Sequence, residues 1–464
     1  MKAYSQCQRN IGKNIVNSDL YCEWILKYYI IGKRPISYLA KIKVFTIDYH
    51  YFYSVINISQ KVMLEYINKH SIIAFFPLYA LNFYTYAETG IRTRVKGLGS
   101  PCDNHYTIPA ANAGIANGYK RNLVVQYNGQ NALGKIVIIF IMKAMILEKQ
   151  NKIENNPLKY EDYEGPELKH GQVIVKVQAN GVCHSDLHII EGDFPLPPEL
   201  FPLIPGHEIV GEVVESKSDI QIGERVGIGW FYSACGKCEY CISGKENLCP
   251  YATVTGINHK GGYSEYVALD STYVSRIPDN LNSVETAPLF CAGITAYSAV
   301  RRLNIAPNDR IAVFGIGGLG FYGLQLIRLM GGKACAITTS HKDVAEKAEA
   351  AEITDRPSGH YDGAIVFAPN SKIVQTAASS VKSGKTIVVP AVMDKIEIPF
   401  SSFMWEKNIT SVASGLRKET RAILDIASSE GLISMVHKSK LSSANEVLNN
   451  LKQGKVKGRE VLVP

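Results

Sequence analysis

The stretch DRIAVFGIGGLGFYGLQLIRLMGG, Asp309–Gly332, decides the fold. It opens on an apolar run, Ile311–Phe314, of a length suited to a buried strand, and then passes through glycines at 315, 317, 318 and 320. A helical run follows in which Leu319, Leu324, Ile327 and Leu329 supply apolar positions. Gly315, Gly317 and Gly320 fit G-x-G-x-x-G, a weak string by itself. Set between a strand and a helix it becomes a dinucleotide fingerprint, because glycine lets the backbone approach a pyrophosphate that rests on the helix N-terminus. An α/β fold with a doubly wound parallel sheet is expected around it.

Upstream lies CGKCEYCISGKENLC, which places Cys235, Cys238, Cys241 and Cys249 in one short loop. In a reducing compartment clustered cysteines are metal ligands or redox groups rather than disulfides. No thioredoxin-like strand and helix surround them, which disfavours redox chemistry. Further upstream, GQVIVKVQANGVCHSDLHIIEGD begins with Val173, Val175 and Val177 in strand alternation and breaks at Gly181. Cys183, His184, Ser185, Asp186 and His188 come next, and PGHEIVGEVV adds His207 and Glu208 before another strand. A catalytic zinc takes three protein ligands and keeps one position open. Cys183 and His207 with a third thiolate would meet that need, and Cys291 in APLFCAGITAYSAV is the remaining candidate.

The chain has 464 residues, enough for two or three domains, and its composition is that of a globular protein. The net charge of +8 is unevenly placed. Residues 1–141 hold 16 of the 50 Lys and Arg but 6 of the 42 Asp and Glu, which leaves 34 against 36 for the rest. The same segment carries 15 of the 26 tyrosines, shows no sustained period, and scatters Cys7, Cys22 and Cys102 without a spacing signal. Residues 1–141 are therefore expected to be a disordered, non-native extension from a mis-assigned start, with Met142 or Met145 as the true one. The competing expectation is a basic arm that binds nucleic acid or an acidic surface. The longest apolar run there, around Ser71–Phe83, is interrupted by Pro77 and falls short of the ~20 residues needed to cross a bilayer. With no signal peptide pattern, a cytoplasmic location without a membrane partner is the default.

GVCHSDLH, PGHE, CGKCEYCISGKENLC, LFCAGITAY and GIGGLG occur in the order and spacing of the zinc-dependent medium-chain alcohol dehydrogenases, and residues 142–464 resemble that family throughout. The resemblance implies a GroES-like β-rich catalytic domain over 142–292 and 418–464, with a zinc lobe at 235–249, and a Rossmann cofactor domain over 293–417. The cofactor domain looks shortened, because AEAAEITDRPSGHYDGAIVFAPN passes from one helix to the next strand with little between. Two zinc ions per chain are implied, a catalytic one on Cys183, His207 and Cys291 and a structural one on Cys235, Cys238, Cys241 and Cys249.

The same resemblance implies reversible hydride transfer between a primary alcohol or its aldehyde and NAD(P), through a zinc-bound alkoxide. Ser185 and His188 match the proton relay, Asp186 the residue that holds His207, and Glu208 the carboxylate behind the zinc. Gly315, Gly317, Gly318 and Gly320 match the pyrophosphate turn, His184 and Arg459 its cationic contacts, and Phe194 and Trp230 the substrate pocket. Thr339 stands where the family's ribose-binding acid is expected, beside Ser340, His341 and Lys342, a set able to bond and neutralise a 2′-phosphate. NADP(H) is the expected coenzyme, with NAD(H) the alternative if Thr338 and Thr339 hold a plain ribose. An NADPH-dependent aldehyde reductase of cinnamyl-alcohol-dehydrogenase type, a zinc-free quinone reductase relative, and a binding protein using the basic N-terminal arm are the competing functions. A homodimer or homotetramer with no nucleic-acid partner is implied.

Overall fold

A computed structural model describes residues 140–464 and, ahead of them, only isolated stretches of strand backbone. The expectations for the first 141 residues, Cys7, Cys22 and Cys102 included, fall outside the described residues apart from positions 140 and 141. The compact unit Phe140–Pro464 carries everything that follows.

Two sheets organise this unit. The first is built on β1 (Gln172–Gly181), whose valines 173, 175 and 177 pack with Ile209, Val213, Val226, Ile228, Val267 and Leu269. Its neighbours along the chain are β2 (Glu208–Ser216), β3 (Arg225–Ile228), β4 (Tyr266–Asp270) and β5 (Ser275–Arg276). β2 pairs antiparallel with β1 and shifts register twice, which bends the strand. Gly211 sits in this ladder because a Cβ there would meet the Lys176 carbonyl.

The second sheet holds β6 (Arg310–Phe314), β7 (Lys333–Ile337), β8 (Glu352–Thr354), β9 (Gly363–Val366), β10 (Thr386–Val388) and β11 (Asn408–Thr410). Its spatial order is β8-β7-β6-β9-β10-β11, every pairing parallel. Strand order therefore reverses beside β6, the switch point at which such sheets bind dinucleotides. Alternate residues of β6 serve opposite faces: Ile311 and Val313 join the core with Leu324 and Ile327, while Ala312 and Phe314 join Val374 and Ala377 on the other. The stretch read as shortened does contain a strand, β8, but only a three-residue one, and no helix lies between it and β9. With so few side chains β8 offers too little alternation to be seen in the sequence.

The chain then returns to the first sheet as β12 (Val436–Lys440) and β13 (Arg459–Val463). β13 pairs parallel with β12 and antiparallel with the end of β1, so that the last strand lies beside the segment that leads into Cys183. The glycine turn after β6 meets this strand: a Cβ on Gly318 would run into the Arg459 side chain. Gly315 adopts φ +87° with its α-carbon against Phe367 and Ala368. Gly315→Val should therefore destabilise the chain by about 2–4 kcal/mol in urea unfolding, combining a left-handed φ with a backbone clash.

Candidate metal centre and cofactor cleft

β1 ends at Gly181, where a Cβ would collide with the Glu208 carboxylate, and α1 (His184–Glu191) starts three residues later. Cys183 is the N-cap of α1. Its sulfur accepts from the Ser185 N–H at 3.4 Å, while its own N–H donates to Asp186 Oδ2 at 3.0 Å, a reciprocal capping box. The sequence C-H-S-D thus fixes Cys183 and Asp186 locally, with a sulfur at the positive end of a helix where a thiolate is favoured.

Asp186 Oδ1 lies 2.8 Å from His207 Nδ1 with both side chains buried. A carboxylate can only accept, so Nδ1 carries the hydrogen and Nε2 presents its lone pair. That Nε2 is buried and has no hydrogen-bond partner. It is grouped with Cys183 Sγ, Cys291 Sγ and a Glu208 oxygen, all within 4.8 Å of one another. The two sulfurs are 3.7 Å apart. Two thiolates ~2.3 Å from one tetrahedral zinc would stand about 3.8 Å apart, so donor set and spacing both fit zinc. The Cys291 thiol beside it draws Cys183 well below the usual thiol range, against the effect of burial. Burial opposes a charged His207, but Asp186 outweighs it and raises the imidazole well above its ordinary value. Protons therefore compete with metal at this nitrogen.

Glu208 is fully buried. Burial pushes its carboxyl up to about 7, although Arg459 pulls the other way. Arg459 donates to Oε1, while Oε2 is buried without a partner. Arg459 is only 5 % exposed, pairs with Glu208 through Nη2, keeps Nε without a partner and lies against Gly318 of the glycine turn.

Cys235, Cys238, Cys241 and Cys249 form a second group with sulfurs within 4.8 Å of one another. Backbone N–H groups of Lys237 and Cys238 draw Cys235 down to about 6, while burial and neighbouring thiols push Cys241 up to about 12. Four sulfurs this close cannot all ionise without a cation among them, and a zinc ion meets that requirement.

The remaining expected residues lie on several separate elements. Trp230 stands edge-on to His207 with ring centroids 5.0 Å apart. Phe194 stands edge-on to His188 at 5.8 Å and is exposed. Ser185 and His188 lie three residues apart on α1, hence on one face, and His188 Nδ1 is 2.7 Å from Asp193. His184 is exposed at the first position of α1. Gly317 caps α2 (Gly318–Leu329), with Gly318 and Gly320 in its first turn. Beyond β7 the Thr338 hydroxyl accepts from the His341 N–H, and Lys342 pairs with Asp355 at 2.8 Å. Thr339 and Ser340 occupy the turn between. Asp355 escaped sequence reasoning, and so did Tyr263, whose hydroxyl donates to Asp186 at 3.2 Å. Neither belongs to a spacing pattern.

Comparison with known proteins places this geometry. The alcohol dehydrogenase GroES-like domain matches residues 169–279. An alcohol dehydrogenase of Geobacillus stearothermophilus is 39% identical over 340 residues, covering 69% of this chain and 98% of that protein. One from Moraxella sp. (strain TAE123) is 33% identical over 69% of this chain and 99% of its own. Among solved structures, the alcohol dehydrogenase of Aeropyrum pernix matches with TM-score 0.63 and 27% identity, over 69% of this chain and 100% of that one. Acetophenone reductase from Geotrichum candidum, in complex with NAD, matches with TM-score 0.63 and 26% identity, over 70% and 97%.

Cys291→Ser should retain about one zinc ion per chain against two in the unaltered protein, and Cys241→Ser should lose the other ion, as read by atomic absorption on gel-filtered samples.

Proposed function

This chain belongs to the zinc-dependent medium-chain alcohol dehydrogenases, and from that premise we propose the roles of its individual residues and the kind of substrate and coenzyme it prefers. It is an NAD(P)-dependent alcohol dehydrogenase that uses zinc. The observation that carries the residue assignment is the buried, unpartnered Nε2 of His207 facing Cys183 and Cys291. These three hold the catalytic zinc, and the four cysteines of the 235–249 lobe hold the structural one. Residues 142–292 with 418–464 act as the catalytic domain and 293–417 as the cofactor domain.

When bound, the zinc supplies Lewis-acid polarisation of the substrate oxygen, and the nicotinamide takes or gives the hydride. The protein's part is placement and proton handling. Asp186 fixes the His207 ring. Ser185 receives the alcohol proton, and His188 passes it to solvent from the same face of α1, held by Asp193. Trp230 and Phe194 wall the substrate side, which suits a small or flat primary alcohol. Glu208 keeps a carboxylate oxygen behind the zinc while Arg459 restrains it. Gly315, Gly317, Gly318 and Gly320 admit the pyrophosphate, with His184 exposed beside them.

Thr339, Ser340 and Lys342 support NADP(H). The Lys342–Asp355 pair is exposed on both sides, and a pair of that kind is worth about 0–1 kcal/mol, so Lys342 can exchange Asp355 for a 2′-phosphate. This favours the aldehyde-reducing, cinnamyl-alcohol-dehydrogenase kind of activity as the second reading. A homodimer or homotetramer is supported by exposed Val392, Ile396, Phe400 and Trp405 in the segment leading to the edge strand β11. Among the described residues no helix is long and apolar enough to cross a membrane, and seven cysteines are free, which suits a cytoplasmic setting.

Initial rates with ethanol, benzyl alcohol and the matching aldehydes, measured with each coenzyme and with or without a chelator, test this. The expected outcome is chelator-sensitive turnover favouring NADP(H). Turnover indifferent to zinc removal would overturn the metal assignment, and a preference for NAD(H) the coenzyme assignment. His188→Gln should lower turnover by roughly tenfold near neutral pH and less in alkali, where solvent base replaces the imidazole. An unchanged pH–rate profile would remove His188 from the relay.

A further inference from the structure

Tyr263 acts on the surroundings of His207 through two neighbours, Asp186 and Gly206. Its hydroxyl donates to Asp186 Oδ2 at 3.2 Å, and the tyrosine is fully buried. Asp186 thereby receives three donors, the Cys183 N–H at 3.0 Å, the His207 Nδ1–H at 2.8 Å and the Tyr263 phenol. The Tyr263 ring lies against Gly206, the residue before His207, so closely that a Cβ on Gly206 would overlap it. Gly206 holds φ +98°, a conformation that leaves its α-carbon bare on this side.

The backbone completes the arrangement. Gly261 N–H donates to the Ile204 carbonyl at 2.7 Å, Tyr263 N–H to Pro205 at 3.0 Å and Gly262 N–H to Gly206 at 3.1 Å. Residues 261–263 are thus bound to residues 204–206, the loop that delivers His207. The Tyr263 carbonyl accepts from Met145 N–H at 2.8 Å, which fixes the tyrosine itself to the Lys135–Leu147 strand. A carboxylate with one hydrogen bond on each oxygen could still rotate about χ2. With the phenol as a third donor, on the oxygen that also caps α1, rotation would break three bonds instead of two.

We infer that Tyr263 is a positioning residue of the catalytic metal site: its hydroxyl locks the Asp186 carboxylate, and its ring holds the backbone ahead of His207, so that Nε2 is aimed at the ion before the ion arrives. This rests on the metal reading above. Outer-shell partners of metal ligands commonly contribute 10- to 100-fold in affinity, and Tyr263 acts one bond further out.

The test uses the full chain as Tyr263→Phe, which keeps the ring and removes the hydroxyl, and reads zinc release to a chromogenic chelator rather than turnover. About tenfold weaker retention of one zinc ion is expected, with the four-cysteine ion held as in the unaltered protein. Tyr232→Phe is the matched comparison, a buried tyrosine bonded to Gln172 and the Ala268 carbonyl instead. It should retain both ions. Equal retention of both ions by Tyr263→Phe and the unaltered protein would overturn the inference alone, and so would equal loss in Tyr232→Phe, since any buried phenol would then serve. An unaltered chain holding fewer than two ions would overturn the metal reading and this inference with it.

Discussion

A buried guanidinium set against a buried carboxylate, Arg459 on Glu208, is the interaction on which the rest of the molecule depends. Arg459 opens the last strand, β13, and Glu208 opens β2 directly after His207. The pair lies under the glycine turn at Gly318 and behind the cluster of Cys183, His207 and Cys291. It therefore ties two strands of the first sheet together, and through Arg459 it meets the glycine turn that follows β6 in the second. Pairs of this kind add little net stability, because desolvation offsets attraction, but removing one partner costs about 3–5 kcal/mol and strands the other charge. Burial that pushes Glu208 up to about 7 even beside an arginine shows how dry the location is. In such surroundings each charge is worth more than it would be in water.

Asp186 is the second organising group. It caps α1, bonds the imidazole of His207 and accepts the Tyr263 phenol, so one side chain settles the direction of a helix and the tautomer of a ligand. The side chains of Cys183, His207 and Asp186 are thus held by protein contacts alone. The four-cysteine lobe follows another logic. Its sulfurs come from one loop with little apolar burial of its own, where Cys235 is drawn down and Cys241 pushed up. A loop of this kind can take much of its folding energy from a bound ion.

The exposed margin of the cofactor cleft differs again. The Lys342–Asp355 pair is solvent-facing and contributes little, so it can rearrange without disturbing the core. Buried pairs fix geometry in this molecule, and exposed ones leave choices open.

The sequence by itself determined what lies within a few residues along the chain: the strand, glycine turn and helix of 309–332, the four cysteines of 235–249, and the capping of α1 by Cys183 and Asp186. In each the chemistry is set by local spacing, which a one-dimensional pattern records. Tertiary structure alone decided that Tyr263 reaches Asp186 across 77 residues and that Arg459 reaches Glu208 across 251, and it brought Cys291, which the sequence offered as the remaining thiolate, to Cys183 across 108. These contacts depend on sheet register, since a slip of one residue turns a strand's side chains to the opposite face. The three-residue β8 was unreadable for a related reason: its place is given by pairing with β7, not by any period of its own.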